Sequence, residues 1–157
     1  MGFNILVADD NSDDHLLLSR GFKKAGVNAL LRFTNDGAEA VQYLSGRGHF
    51  KDRTKYPFPD IILLDVKMPG LDGFEVLKWL RGQTQIGLLP VIMLTSSDEP
   101  RDIDRAHSLG ANGYLMKPSG TRAMQQMLQG IEAFWVEQHR FPTCCPCSGI
   151  GRRHRCD

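Results

Sequence analysis

Short apolar runs alternate along the chain with longer stretches whose apolar residues recur at helical spacing. Five runs are of strand length: Phe3–Ala8, residues 29–33, Ile61–Leu64, residues 91–94 and Gly113–Met116. The first, third and fourth are apolar almost throughout, the mark of strands covered on both faces. Between them, Ser12–Ala25 places Leu16, Leu17, Phe22 and Ala25 at helical spacing and stops at Gly26. Gly37–Ser45 carries Ala40, Val41 and Leu44, and Gly73–Arg81 carries Phe74, Leu77 and Leu80. Residues 98–109 open with a candidate cap and Pro100 and close on Gly110. A last helix is predicted over 121–138, with Met124, Met127, Leu128, Ile131 and Trp135 as its apolar stripe. Strand and helix thus alternate five times, which predicts one α/β domain built on a five-stranded, doubly wound parallel sheet.

Two segments interrupt the rhythm. Residues 46–59 (GRGHFKDRTKYPFP) exceed the usual helix-to-strand connection of about 2–6 residues. They read as an ordered excursion, whose plainest role is that of a surface loop. In 141–157 the apolar periodicity ends, so the domain is expected over 3–140 and the remainder as a disordered or appended tail. All four cysteines, Cys144, Cys145, Cys147 and Cys156, lie in that tail, so disulfides cannot hold the body together. With His154 they could supply zinc ligands, but two separated C-x-x-C pairs are lacking, and a tail without metal is the favoured reading.

Charge adds little to this picture. Residues 1–140 hold 16 Lys/Arg against 17 Asp/Glu, so bulk electrostatics offers nothing to nucleic acid. No apolar run approaches the roughly 18 residues of a membrane span, and the N-terminus runs straight into a strand. A cytoplasmic protein is expected.

Open parallel sheets bind ligands outside the carboxyl ends of their strands. There the sequence places Asp9 and Asp10 after the first strand, Asp65 after the third, Thr95 after the fourth and Lys117, followed by Pro118, after the fifth. Crowded carboxylates either take up protons or recruit a cation, and Mg²⁺ suits an all-oxygen donor set. Beside such an ion a carboxylate can attack phosphorus, while an ammonium and a hydroxyl can stabilise the charge of a phosphoryl group in transit. Taken singly, each residue has a plain structural reading. Asp9 and Asp10 could cap the first helix, Thr95 could simply end a strand, Lys117 could be a solvated charge and Tyr114 a half-buried aromatic. Asp72 and Gly73 are ordinary turn formers. Five such residue types at the ends of four strands are harder to explain by packing alone.

The acid pair in ILVADD, the stretch LLDVKMPGLDG, then VIMLTSS and GYLMKPS together resemble the CheY-like receiver domain of bacterial two-component response regulators, over about residues 3–140. That resemblance implies the flavodoxin-like (βα)5 fold with strand order 2-1-3-4-5. It implies phosphorylation of Asp65, Mg²⁺ held by Asp9, Asp10, Asp65 and the backbone carbonyl of Lys67, and contacts from Thr95 and Lys117 to the phosphoryl group. Thr95 and Tyr114 would form the switch, re-shaping the face of helix four, strand five and helix five. A cis peptide at Lys117–Pro118 is also implied. The partners implied are a sensor histidine kinase or phosphotransfer protein and a downstream protein target, with homodimerisation left open and neither nucleic acid nor membrane. The Lys67 side chain should stand beside the phosphoryl group, either screening it from water or weakening Mg²⁺ binding. The long excursion and Phe134-Trp135 are similar to single-domain regulators that partner bacterial phytochromes.

One alternative is a Mg²⁺-dependent phosphatase of the haloacid dehalogenase type, but such enzymes carry an acid two residues after the nucleophile, where this chain has Lys67. A flavodoxin-like cofactor binder would need a phosphate-cradling glycine loop after the first strand, where Asp9 and Asp10 would repel a phosphate.

Overall fold

The computed structural model describes residues 2–138. Continuous apolar runs form the strands β1 (Phe3–Ala8), β2 (Ala29–Thr34), β3 (Ile61–Leu64), β4 (Val91–Thr95) and β5 (Gly113–Met116). They pair in parallel in the order β2-β1-β3-β4-β5, as the resemblance implies. Helices α1 (Ser12–Ala25), α2 (Gly37–Ser45), α3 (Gly73–Arg81), α4 (Pro100–Ser108) and α5 (Thr121–Ile131) cover the two faces. Alternation along each strand splits the core in two. Leu6, Ala8, Ile62, Leu64, Val91 and Met93 pack with α2, α3 and α4, while Ile5, Val7, Ile61, Leu63, Ile92 and Leu94 pack with α1 and α5.

Several local expectations need correction. The cap of α1 is neither Asp9 nor Asp10 but Asn11, whose side chain accepts from the amides of Asp13 and Asp14. Both acids before it are therefore released from a capping role. Asp98, the residue expected to open α4, is also not its cap: Glu99 holds that position, and its side chain makes no capping bond. The last predicted helix ends its regular part at Ile131, and Glu132–Gln138 continues as a wider π-helical segment that buries Trp135. The tail at 141–157, with its cysteines, lies outside the described residues.

The excursion is ordered, as predicted, and Arg53 explains why. Its guanidinium donates to the carbonyls of Tyr43 (2.8 Å), Leu44 (2.9 Å) and Tyr56 (3.3 Å), capping the C-terminal end of α2 and tying the loop to it. Tyr43, Phe50 and Tyr56 pack edge-on or tilted into a small aromatic cluster alongside, and the Arg53 guanidinium lies 5.8 Å from the Tyr43 ring centre. Helix-end carbonyls left without donors are costly when water cannot reach them. Arg53→Ala is therefore expected to lower stability by about 1–3 kcal/mol, read from urea unfolding, with the site at the far edge of the sheet unchanged.

Candidate functional site

The sheet order reverses direction between β1 and β3, because β1 leads to β2 on one side and β3 leads to β4 on the other. A crevice opens at such a switch point, at the carboxyl ends of the strands. Asp9 follows β1 and Asp65 follows β3, so adjacent strands deliver both acids to this crevice. Asp9 is 2% and Asp65 6% exposed, whereas Asp10 faces solvent. One carboxylate oxygen from each of Asp9, Asp10 and Asp65 lies within 4.8 Å of the others.

Lys117 enters from the end of β5. Its backbone N–H donates to the Thr95 carbonyl at 2.7 Å, extending the β4–β5 ladder by one residue and setting the direction of its side chain. The ammonium then reaches Asp9 (2.6 Å), Asp65 (2.7 Å) and Asp14 (2.7 Å). The resemblance implied a cis bond before Pro118, but the described residues contain no cis peptide. The extended ladder aims the lysine without one.

Charge in the crevice is unbalanced. Three carboxylates, those of Asp9, Asp14 and Asp65, share one ammonium, and Asp10 adds a fourth beside Asp9 and Asp65. Burial alone would depress the Lys117 pKa, but the hydrogen bonds it donates to Asp14, Asp65 and Asp9 outweigh it and hold the lysine charged, above its ordinary value. Burial pushes Asp9 up, against the lowering effect of Lys117 and the Asn11 amide. His15 adds a contact from α1: its Nε2 meets the Asp9 carbonyl at 2.7 Å, and its ring stacks on Phe33. The donor set is hard oxygen with surplus negative charge, which fits a divalent cation such as Mg²⁺.

The loop after β3 is shaped by close backbone approach. The Lys67 N–H lies 3.4 Å from Asp65 Oδ1, and the Lys67 side chain is exposed. The Gly73 N–H donates to the Val66 carbonyl at 2.9 Å, bringing the start of α3 directly beneath the Asp65 backbone. Asp72 caps α3 in a reciprocal box with Glu75, so the turn formers seen in the sequence also open a helix.

Thr95 ends β4 and is 1% exposed, with its Oγ1 accepting from the Ser97 N–H at 3.2 Å. Tyr114, half-buried on β5, donates its hydroxyl to the Ser97 carbonyl at 2.8 Å. Burial raises the Tyr114 pKa, partly offset by that hydrogen bond, and the charges of Asp102, Asp65 and Asp98 raise it further. Asp9, Asp10, Asp65, Lys67, Thr95 and Lys117 therefore stand at one edge, and Tyr114, opposite Met93 within β5, reaches toward it through its hydroxyl. The four side chains Asp9, Asp10, Asp65 and Lys117 form a single cluster, while Thr95 and Tyr114 meet at Ser97.

A family model described as the response regulator receiver domain matches residues 5–129. The chain belongs to this family. Receiver relatives span nearly its whole described length. The response regulator Rcp1 of Synechocystis sp. is 32% identical over 139 residues, which cover 88% of this chain and 92% of Rcp1. Response regulator RPA3017, from red light signaling of R. palustris, is 38% identical with a TM-score of 0.85, covering 90% of this chain and 99% of its own. The phosphorylated cyanobacterial phytochrome response regulator RcpA is 29% identical with a TM-score of 0.82, over 91% of this chain and all of its own. The Mn²⁺-bound form of Rcp1 superposes with a TM-score of 0.78, at 31% identity over 89% of this chain and 99% of its own. The similarity to phytochrome-associated receivers is thus supported well beyond one loop and one aromatic pair. The haloacid dehalogenase alternative gains no support from the receiver match.

Three residues of this receiver escaped the sequence reading: Asp14, Ser97 and Asp102. Asp14 pairs with Lys117 across 103 positions, and nothing in the local pattern separates it from its neighbour Asp13. Ser97 and Asp102 look like ordinary loop and first-turn residues until their mutual bond of 2.6 Å is seen. Among the described residues no helix is long and apolar enough to cross a membrane.

Proposed function

We propose that this receiver accepts a phosphoryl group on Asp65 from the phosphohistidine of a sensor kinase or phosphotransfer protein, in the cytoplasm, and so changes the surface of α4, β5 and α5 offered to a downstream partner. The observation that carries the reading is the Lys117 ammonium, 2.7 Å from Asp65, inside a cluster of carboxylates at the switch point of the sheet. Asp9, Asp10 and Asp65, with the backbone carbonyl of Lys67, would hold Mg²⁺, which when bound neutralises charge on the phosphoryl oxygens. The metal-bound and phosphorylated states of Rcp1 and RcpA support both halves of this assignment.

In the transfer step an Asp65 oxygen attacks phosphorus, the phosphorus–nitrogen bond breaks, and its electron pair returns to the donor imidazole. Lys117 pairs with one phosphoryl oxygen, exchanging part of its carboxylate company for the new anion. The Thr95 hydroxyl donates to another. Water later attacks phosphorus, releasing inorganic phosphate and restoring the Asp65 carboxylate. The domain catalyses only its own loading and unloading, and its phytochrome-associated relatives point to a red-light-sensing kinase as the donor.

Intact mass spectrometry after incubation with acetyl phosphate and Mg²⁺ tests this. One phosphoryl adduct is expected on the wild type and none on Asp65→Asn. An unmodified wild type, or an adduct that persists in the variant, would overturn the assignment.

A further inference from the structure

The loop between β4 and α4 is held at one residue. Ser97 is 7% exposed, and all three of its polar groups are engaged, each with a different element. Its N–H donates to Thr95 Oγ1 at the end of β4 (3.2 Å), its hydroxyl donates to Asp102 Oδ2 in α4 (2.6 Å), and its carbonyl accepts from the Tyr114 hydroxyl on β5 (2.8 Å). The hydroxyl–carboxylate bond has the short length of a charge-assisted one.

Helix α3 shows what is unusual here. There the third-residue acid, Glu75, turns back to the N–H of the cap residue Asp72 at 2.8 Å, while the Asp72 side chain accepts from the Glu75 amide at 2.9 Å. That helix start is closed on itself. In α4 the acid at the same position is Asp102, yet the cap residue Glu99 makes no side-chain bond and Pro100 has no N–H to offer. The Asp102 carboxylate is instead committed to Ser97, two residues before the cap. Helix α4 is therefore anchored to the loop that follows Thr95.

We infer that Ser97 and Asp102 are positioning residues that link the phosphoryl site to the first turn of α4. The inference rests on the phosphoacceptor reading above. For the Thr95 hydroxyl to turn toward a phosphoryl oxygen on Asp65, the Ser97 N–H must lose its present acceptor or follow it. Because Ser97 is clamped to Asp102, its displacement is passed to α4, whose start has no side-chain cap of its own to resist. The bond from Tyr114 to the Ser97 carbonyl follows the same loop along a second branch, toward β5. Each element responds because it shares a hydrogen bond with one small, buried residue.

Beryllofluoride with Mg²⁺, as a phosphoryl mimic, allows the link to be read separately from binding. Fluorine NMR reports the mimic at Asp65, and amide hydrogen exchange reports residues 101–105. In the wild type, binding is expected to change exchange in this turn several-fold. In Ser97→Ala and Asp102→Ala the mimic should still bind, with the α4 response reduced to near zero. Asp102→Asn, which keeps an acceptor oxygen for the Ser97 hydroxyl, should retain it. Urea unfolding of each variant identifies any that has lost its fold, and the two independent truncations guard against that outcome. A full α4 response in both truncations, or a wild type that binds the mimic without any response in α4, would overturn the link. Failure of the wild type to bind beryllofluoride would overturn the phosphoacceptor reading itself.

Discussion

Gly73→Ala is expected to cost the fold about 3 kcal/mol or more and to slow phosphoryl acceptance roughly a hundredfold. A Cβ at this position would lie 2.1 Å from the Asp65 carbonyl oxygen, 2.9 Å from its carbonyl carbon and 3.0 Å from the Val66 Cα. These are backbone atoms at the end of a buried strand, so no side chain can rotate aside. Either α3 must move out, losing the Gly73 N–H bond to Val66, or the Asp65 backbone must shift. Both results displace the carboxylate from Lys117 and from Asp9, and the proposed transfer depends on that registry. Gly130→Ala is the matched control. It lies in α5 with nothing within 4 Å of the added methyl group, so stability should be unchanged or raised by up to about 1 kcal/mol. Urea unfolding and the acetyl phosphate reaction, followed by intact mass, check both variants. Wild-type kinetics in Gly73→Ala would show that the Asp65 backbone tolerates movement.

Arg81→Met is expected to lower stability by about 2–4 kcal/mol, moving the urea midpoint by roughly 1–2 M. The Arg81 guanidinium spends all five of its donors on neighbouring loops. Nε and Nη2 donate to the Gly110 carbonyl, Nη1 to those of Gly87 and Leu89, and Nη2 also to Asn112 Oδ1. One side chain at the end of α3 thus pins the loop entering β4 and the loop entering β5. Burial lowers its pKa, and none of these five bonds goes to a carboxylate. Methionine would fill much of the volume but strand those acceptors. Arg81→Lys should rescue little, because a single ammonium cannot reproduce the planar fork. Since the pinned loops lie at the amino ends of the strands, phosphoryl acceptance by the folded fraction should be nearly unchanged. That separation of stability from activity distinguishes Arg81 from Gly73.

The strands were legible because each central one is buried on both faces and must be apolar throughout, as Ile61–Leu64 is. Once they are placed, the chain direction of a parallel sheet puts every strand's carboxyl end on one edge, so Asp9, Asp65, Thr95 and Lys117 could be assembled without coordinates. The excursion could be predicted to be ordered, but not that Arg53 orders it, since that depends on carbonyls exposed only when α2 ends at Gly46. The capping role weighed for Asp9 and Asp10 fell to Asn11 because the decision rests on one residue's backbone geometry, which composition does not report.

Which residues gather at the candidate site was therefore written in the order of residue types along the chain, because strand ends follow from hydrophobic runs and runs are local. Which partners those residues take was decided only by the packed fold. The Asp14–Lys117 pair, the Ser97–Asp102 bond and the approach of Gly73 to the Asp65 carbonyl are contacts of a few ångströms between elements remote in sequence or closed by a turn. Distances of that kind are set by how helices seat on the sheet, and no periodicity encodes them.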